Sequence, residues 1–162
     1  MKVFFSAVVS AGRKGSFYDH LIAWYSRSPY VHVEFHWPPN QMDPEGYLGA
    51  QPKGGVEIRP LGYLKGATRH TFSVVVPDKQ YDRLVSYLLR QTRKPYDMRA
   101  ILGMAFPFLD RGHTQNAWFC SELVYGALAE VGCHLLRVPQ RLSDRITPRD
   151  VTVSPKVTRI AR

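Results

Sequence analysis

The segment YVHVEFHW at residues 30–37 alternates apolar and ionisable side chains and is followed by two prolines, residues 38–39. Successive side chains of a β-strand point to opposite faces, so this period of two predicts a strand with His32, Glu34 and His36 on one face. Proline cannot donate to a strand ladder, so the two prolines end the strand. Three ionisable groups therefore share one strand face, which makes that face the first candidate for a site.

Runs of β-favouring residues on both sides of this segment predict a sheet. Residues 2–10 form an apolar run, residues 47–51 and 56–59 flank a pair of glycines, and residues 71–76 form a further run. The glycine pair between two such runs is typical of a hairpin turn. The first half of the chain is therefore predicted to be a small antiparallel sheet.

A short helix is predicted between the first two strands. Ser16 is a suitable N-cap, and the apolar residues Phe17, Leu21, Trp24 and Tyr25 recur at helical spacing. We expect this helix to pack against the sheet.

The second half of the chain reads as mainly helical. Asp78 is the expected N-cap of an amphipathic helix with its apolar stripe in residues 81–89, and a shorter helix is expected at residues 97–104. A short strand is expected at residues 135–138, and the proline- and arginine-rich remainder is expected to be irregular.

One further helix carries a cysteine at its start. Asn116 is its expected cap, apolar residues from 119 to 131 form its buried side, and Gly132 ends it. Cys120 then lies in the first turn, where the aligned amide dipoles favour a thiolate and unpaired backbone N–H groups can donate to an oxyanion. The sequence therefore predicts a nucleophile and half of an oxyanion hole in one turn.

The composition is that of a globular chain. With 162 residues and 44% apolar residues, residues 1–162 are expected to form a single α+β domain. The apolar run near the N-terminus is marginal as a signal peptide and far too short to span a membrane. Cys120 and Cys133 would lie about 20 Å apart along a helix, too far for a disulfide. We therefore expect free thiols and a cytoplasmic or virion-associated protein.

The formal net charge of +9 suits an anionic partner such as a cell-wall polymer. The chain lacks an RNA-binding pattern and zinc-finger spacing, so nucleic acid is not an expected partner.

Two motifs resemble those of a known family. The segment SPYVHVE at residues 28–34 resembles the histidine strand of permuted NlpC/P60 cysteine hydrolases, in particular their YiiX-like branch. The segment WFCSELV at residues 118–124 resembles the start of their cysteine helix. The resemblance extends over about residues 2–130, and the histidine precedes the cysteine, which is the order that marks the permutation.

The resemblance implies a papain-like fold in which a small antiparallel sheet packs against the cysteine helix. It also implies that Cys120 attacks a carbonyl to form a thioester and that His32 acts as base and then as acid. The residue that orients His32 is Gln51, at the family's position, or Glu34, on the same strand face. No cofactor is implied.

Tyr30 and Trp118 flank the site residues in sequence and are candidates for a substrate groove. The first expected substrates are peptide amides such as those of peptidoglycan, cleaved by a phage-borne enzyme.

Three alternatives remain open at this stage. His32, Glu34 and His36 could bind a metal ion together with Cys120. The same dyad could act on lipid or acyl esters, although neither an amphipathic anchor nor a long apolar tail is evident. The chain could also be a structural component of a larger particle, such as a phage tail or baseplate.

Overall fold

A computed structural model describes residues 1–12, 15–38, 45–105, 116–137 and 145–160. Within these ranges the chain is α+β, with one six-stranded sheet and five α-helices. All strand pairs are antiparallel, and the order across the sheet is β4-β3-β2-β1-β5-β6. The strands are β1 Lys2–Val9, β2 Tyr30–Trp37, β3 Gly46–Gln51, β4 Gly55–Pro60, β5 Arg69–Val75 and β6 Val157–Arg159.

Three of the helices contact strands of this sheet. The five helices are α1 Phe17–Ser26, α2 Tyr81–Gln91, α3 Met98–Ala105, α4 Cys120–Glu130 and α5 Pro148–Thr152. Helix α4 packs on β2 and β3. Its side chains Leu123 and Leu128 are fully buried in one core with Phe35 of β2. Each such side chain contributes roughly 1.5–3 kcal/mol by leaving water, so this contact fixes α4 against the strand that carries His32.

Alternate side chains of β2 lie in two different environments, one apolar and one polar. Val33 and Phe35 belong to the apolar core, whereas His32 and Glu34 are buried polar groups outside the core cluster. The predicted strand, its face pattern and the antiparallel sheet are therefore confirmed. The predicted hairpin is also confirmed, because β3 pairs with β4 from Gly46 to Gln51.

The packing direction of α1 differs from the sequence prediction. Its N-cap is Ser16 as expected, but its buried residues are Ile22 and Ser26. Phe17 and Trp24, which were expected to pack inward, are 68% and 69% exposed. The helix packs against the sheet as predicted, and Leu21 of the stripe contacts the core. An apolar stripe reveals a helical period without revealing which side of the helix is fully buried.

Two helix starts also differ from expectation. Asp78 does not cap α2; it begins a short 3-10 helix, and its carboxylate accepts a hydrogen bond from the amino group of Met1. Helix α4 begins at Cys120 and not after Asn116, and its first turn is closed by Glu122, whose Oε2 accepts from the backbone N–H of Phe119 at 3.3 Å.

The C-terminal region is more ordered than the sequence indicated. Residues 135–137 are not a strand, while residue 138 lies outside the described residues. Instead, α5 begins with Thr147 as a capping residue, and β6 pairs with β5. Both cysteines are free and buried.

Candidate active site

His32 lies where the sheet is irregular. Residue Val8 of β1 pairs with His32, but the next residue, Val9, pairs with Tyr30, so Val31 is an extra residue in β2. A β-bulge of this kind re-aims the neighbouring side chains and is common beside active sites. The register change therefore sets the direction of the imidazole.

Cys120 is the first residue of α4 and is fully buried. The preceding segment is fixed to the chain before α3, because the N–H of Trp118 donates to Pro95 at 3.0 Å and the N–H of Asp97 donates to Trp118 at 3.0 Å. The geometry of a helix leaves its first N–H groups without intrahelical acceptors. The sulfur therefore lies beside amide donors, and hydrogen bonds to the segment before α3 hold the backbone that precedes it.

Cys120 lies close enough to His32 to affect the pKa of the imidazole. Burial alone would lower the pKa of His32, but the interactions with Cys120 and Glu34 and the charges of both groups outweigh it. The pKa of His32 is consequently raised from 6.5 to about 10. The imidazole therefore holds a proton at neutral pH, between the sulfur of Cys120 and the carboxylate of Glu34.

Glu34 is the central acceptor of the buried network. Its Oε2 lies 3.1 Å from His32 Nε2 and also accepts from the hydroxyl of Tyr63, and its Oε1 accepts from Arg69 Nε at 3.3 Å. Burial would raise the pKa of Glu34, but the bonds with His32 and Tyr63 and the charges of His32 and Arg69 lower it below 4.5. The carboxylate is therefore ionised and fully desolvated among donors.

Gln51 lies at the edge of this network. Its Nε2 donates to the Tyr63 hydroxyl at 2.5 Å and lies 3.4 Å from His32 Nε2. Gly49, two residues earlier on β3, leaves the space that Glu34 needs: a Cβ at Gly49 would lie 2.9 Å from the Cβ of Glu34. The structure thus brings both candidate orienting residues to the same ring nitrogen.

A cavity of about 300 Å³ opens beside His32. Its walls include Val9, Ile22 and Leu64, and Tyr96 also lines it. Tyr96 lies against Phe119, with ring centroids 5.9 Å apart. Its pKa is raised well above 10, first by burial and then by the charge of Cys120. Tyr96 therefore lies between the cavity and the start of α4.

The other predicted site residues lie apart from this cavity. The hydroxyl of Tyr30 is 2.8 Å from His70 Nδ1, and the indole N–H of Trp118 donates to Gln91 at 3.1 Å. Neither Tyr30 nor Trp118 is among the described residues that line the cavity. Their predicted role in substrate binding stays a prediction.

His36 does not join His32 and Glu34. Its Nε2 lies 2.6 Å from the hydroxyl of Ser6, and its ring meets that of Tyr47 edge-on at 5.1 Å. In the part of the chain that the structure describes, no group of three or more His, Cys, Asp or Glu residues is arranged to hold a metal ion.

Three residues of this site, Tyr63, Arg69 and Tyr96, were not indicated by the sequence. Each lies on a different segment from the His32 strand and the Cys120 helix, and no spacing in the sequence connects them to either. The guanidinium of Arg69 also stacks on Tyr47 and Tyr63, at 4.7 and 5.5 Å from the ring centroids. These contacts arise only from the folding of the loop after β4 onto the sheet.

No protein-family model matches this sequence, and no curated protein is significantly similar to it. Among the helices of the described ranges, none is both long and apolar enough to cross a membrane.

Proposed function

We propose that this protein is a cysteine hydrolase in which Cys120 is the nucleophile and His32 the general acid and base. The observation that supports it is the closeness of Cys120, at the start of α4, to His32, whose ring Glu34 contacts at 3.1 Å. The antiparallel sheet packed on the cysteine helix is also what a circularly permuted papain-like NlpC/P60 fold requires. The proposed fold family and the proposed activity therefore rest on the same residues.

The proposed reaction has two steps. His32 holds the proton taken from the thiol of Cys120, the resulting thiolate attacks the substrate carbonyl, and backbone N–H groups in the first turn of α4 donate to the resulting oxyanion. The protonated His32 transfers its proton to the leaving amine or alcohol, which leaves a thioester on Cys120. The neutral His32 then takes a proton from water, the hydroxide attacks the thioester, and the acid product leaves with the thiol restored.

Glu34 is the orienting residue in this proposal, and Gln51 acts through Tyr63. A protonated His32 carries a hydrogen on Nε2, which the carboxylate of Glu34 can accept but the amide N–H₂ group of Gln51 cannot. Gln51 instead donates to Tyr63, whose own hydrogen goes to Glu34. Since Nε2 faces Glu34, Nδ1 is the nitrogen left for the sulfur.

The first proposed substrates are amides of cell-wall peptides, for which a basic protein has electrostatic attraction to an anionic polymer. The cavity favours a second class, acyl esters, because its walls are mainly small and apolar side chains. Among the described residues that line it, Asp19 and His32 are the ionisable side chains other than tyrosine.

Covalent labelling tests the dyad without knowledge of the natural substrate. We expect p-nitrophenyl acetate to release nitrophenol in a burst and to add one acetyl group to Cys120, detected by intact and peptide mass spectrometry. The same protein is then incubated with peptidoglycan fragments and with longer-chain esters to distinguish the two substrate classes.

Cys133→Ser is the matched control, because Cys133 is the other buried cysteine and lies near the carbonyl of Val75 instead of a histidine. It should keep the burst, whereas Cys120→Ser and His32→Gln should lose it. Acetylation of Cys120 at the same rate in His32→Gln and in the unchanged protein would contradict the proposal.

A further inference from the structure

Helix α1 carries a row of large apolar side chains, two of which are mostly exposed. Phe17, Leu21 and Trp24 are spaced four and three residues apart and so share one side of the helix. Phe17 and Trp24 are more than two-thirds exposed, and Tyr25 beside them is 38% exposed. We call the side formed by Phe17, Leu21 and Trp24 the α1 face.

Leu21 of this face packs partly against the core, whereas Phe17 and Trp24 remain exposed in the part of the chain that the structure describes. The residues that α1 buries, Ile22 and Ser26, lie on the opposite side of the helix. Large aromatic side chains grouped on a surface mark a site of interaction, whereas apolar side chains scattered singly are normal. The exposed apolar side chains of the α1 face are therefore suited to contact with another surface.

The charges around α1 are positive. Arg27, which caps the C-terminus of the helix, is exposed, and the exposed Arg149 donates to the backbone carbonyl of Ser26 at 3.3 Å. The acidic residue of the helix, Asp19, has its carboxylate bound to the N–H of Ser16 at 2.8 Å. The chain as a whole carries +9. A surface that is both apolar and negatively charged would complement this face.

We propose that the α1 face docks onto an anionic lipid bilayer, with α1 lying in the plane of the interface. Aromatic side chains are favoured at the level of the lipid headgroups, and arginines beside them bind anionic lipids. The chain then associates with the membrane surface without crossing it. This inference goes beyond the proposed hydrolase activity and does not depend on it.

The location of the α1 face also connects it with the cavity. Tyr18 and Ile22 of the same helix line the cavity that contains His32. A bilayer against the outer side of α1 thus lies one helix away from the candidate active site. Docking brings that site to within the thickness of a helix, about 10 Å, of the membrane surface.

Tryptophan fluorescence tests the docking directly. The chain has three tryptophans; Trp37 is 3% exposed, and the indole of Trp118 is bonded to Gln91. With vesicles of phosphatidylglycerol and phosphatidylcholine, we expect a blue shift and quenching by lipids brominated on the acyl chain. Trp24→Phe should keep binding in vesicle sedimentation but lose the quenching, which assigns the signal to this residue.

Two further variants separate the apolar and charged contributions. Phe17→Ser combined with Trp24→Ser should weaken vesicle binding at least tenfold, since each buried aromatic group contributes to partitioning. Arg27→Asn should weaken binding about fivefold, and only to anionic vesicles. Asparagine suits this position because Arg27 has a φ of 49°.

Val75→Thr is the matched control, because Val75 is equally exposed and pairs with Lys2 at the other end of the sheet from the cavity. It should bind vesicles as the unchanged protein does. Three results would overturn the proposal: equal binding to vesicles of phosphatidylcholine alone, full binding by the double serine variant, or dimerisation in solution that the double serine variant abolishes.

Discussion

The Oε2 atom of Glu34 lies 3.1 Å from Nε2 of His32, although the two residues are next-nearest neighbours on one strand. Side chains in this relation point to the same face about 6.6 Å apart at Cα and rarely meet with good geometry. Here the bulge at Val31 turns the strand beside His32, and Gly49 on β3 leaves room for Glu34. The network that results gives the following predictions.

Glu34→Gln is expected to lower hydrolytic activity by roughly 10²-fold or more, because a neutral amide no longer holds the charged imidazole in place. The pKa of His32 should fall at the same time. The measurement is kcat/KM against pH together with an NMR titration of the histidine. Glu57→Gln, which changes an exposed glutamate on β4, is the control and should keep both values. An unchanged His32 titration in Glu34→Gln would contradict the assignment.

Tyr63→Phe removes the hydroxyl that donates to Glu34 and accepts from Gln51. The loss of a hydrogen bond to a buried charge is expected to cost about 1.5–3 kcal/mol of stability. The Tyr63 hydroxyl shares the Oε2 atom of Glu34 with His32, so its removal should strengthen the interaction of the carboxylate with the imidazolium and raise the pKa of His32. Denaturant unfolding and the same NMR titration measure the two effects. Tyr25→Phe, in the exposed part of α1, should change neither quantity.

The free energy of unfolding is expected to be highest between about pH 4.5 and 6.5, the ordinary pKa values of glutamate and histidine. The lowered pKa of Glu34 contributes stability that is present above pH 4.5 and lost below it. The raised pKa of His32 contributes stability that is full below pH 6.5 and declines as the pH rises towards 10.

Thermal unfolding from pH 3 up to pH 9, the ordinary pKa of cysteine, measures this profile. In His32→Gln, the decline above pH 6.5 should flatten. A stability maximum above pH 8 in the unchanged protein would be inconsistent with a raised His32 pKa.

Gly49→Ala is expected to destabilise the fold by about 1–3 kcal/mol, since the new methyl group would collide with Glu34. It should also reduce labelling of Cys120 through the displaced histidine. Gly126→Ala in α4 makes a useful contrast, because its Cβ would lie 3.4 Å from the Trp118 ring. Ordinary van der Waals contact and the better helix propensity of alanine should stabilise that variant by about 0.5–1 kcal/mol. Equal stabilities for the two variants would show that Glu34 has room to move.

Tyr96→Ala is expected to open the path from the cavity to Cys120. The sulfur is fully buried, and Tyr96 lies between it and the cavity. Alkylation of Cys120 by a bulky maleimide should become several-fold faster, whereas the small reagent iodoacetamide should gain less. Peptide mass spectrometry separates Cys120 from Cys133. Tyr25→Ala is the control and should leave both alkylation rates unchanged. Unchanged rates in Tyr96→Ala would show that reagents reach the sulfur by another path.

The sequence by itself determined the features that depend on neighbours along the chain. Alternation in residues 30–37 predicted β2 and put His32 and Glu34 on one face, and the period of residues 119–131 placed Cys120 in the first turn of a helix. Ser16 and Gly132 were identifiable as helix ends because capping and positive φ are local properties. Such features follow from the geometry of one strand or one helix.

The tertiary structure alone decided which groups meet. Tyr63, Arg69 and Tyr96 reach the site through loops and strands whose paths no local pattern specifies. The choice between Glu34 and Gln51 depends on which of them can accept the proton on His32, and that requires all the donors to be in place. For α1, the helix and its packing on the sheet were predicted, but the exposure of Phe17 and Trp24 was not, because only contact with the sheet and α3 determines which side of an amphipathic helix is covered.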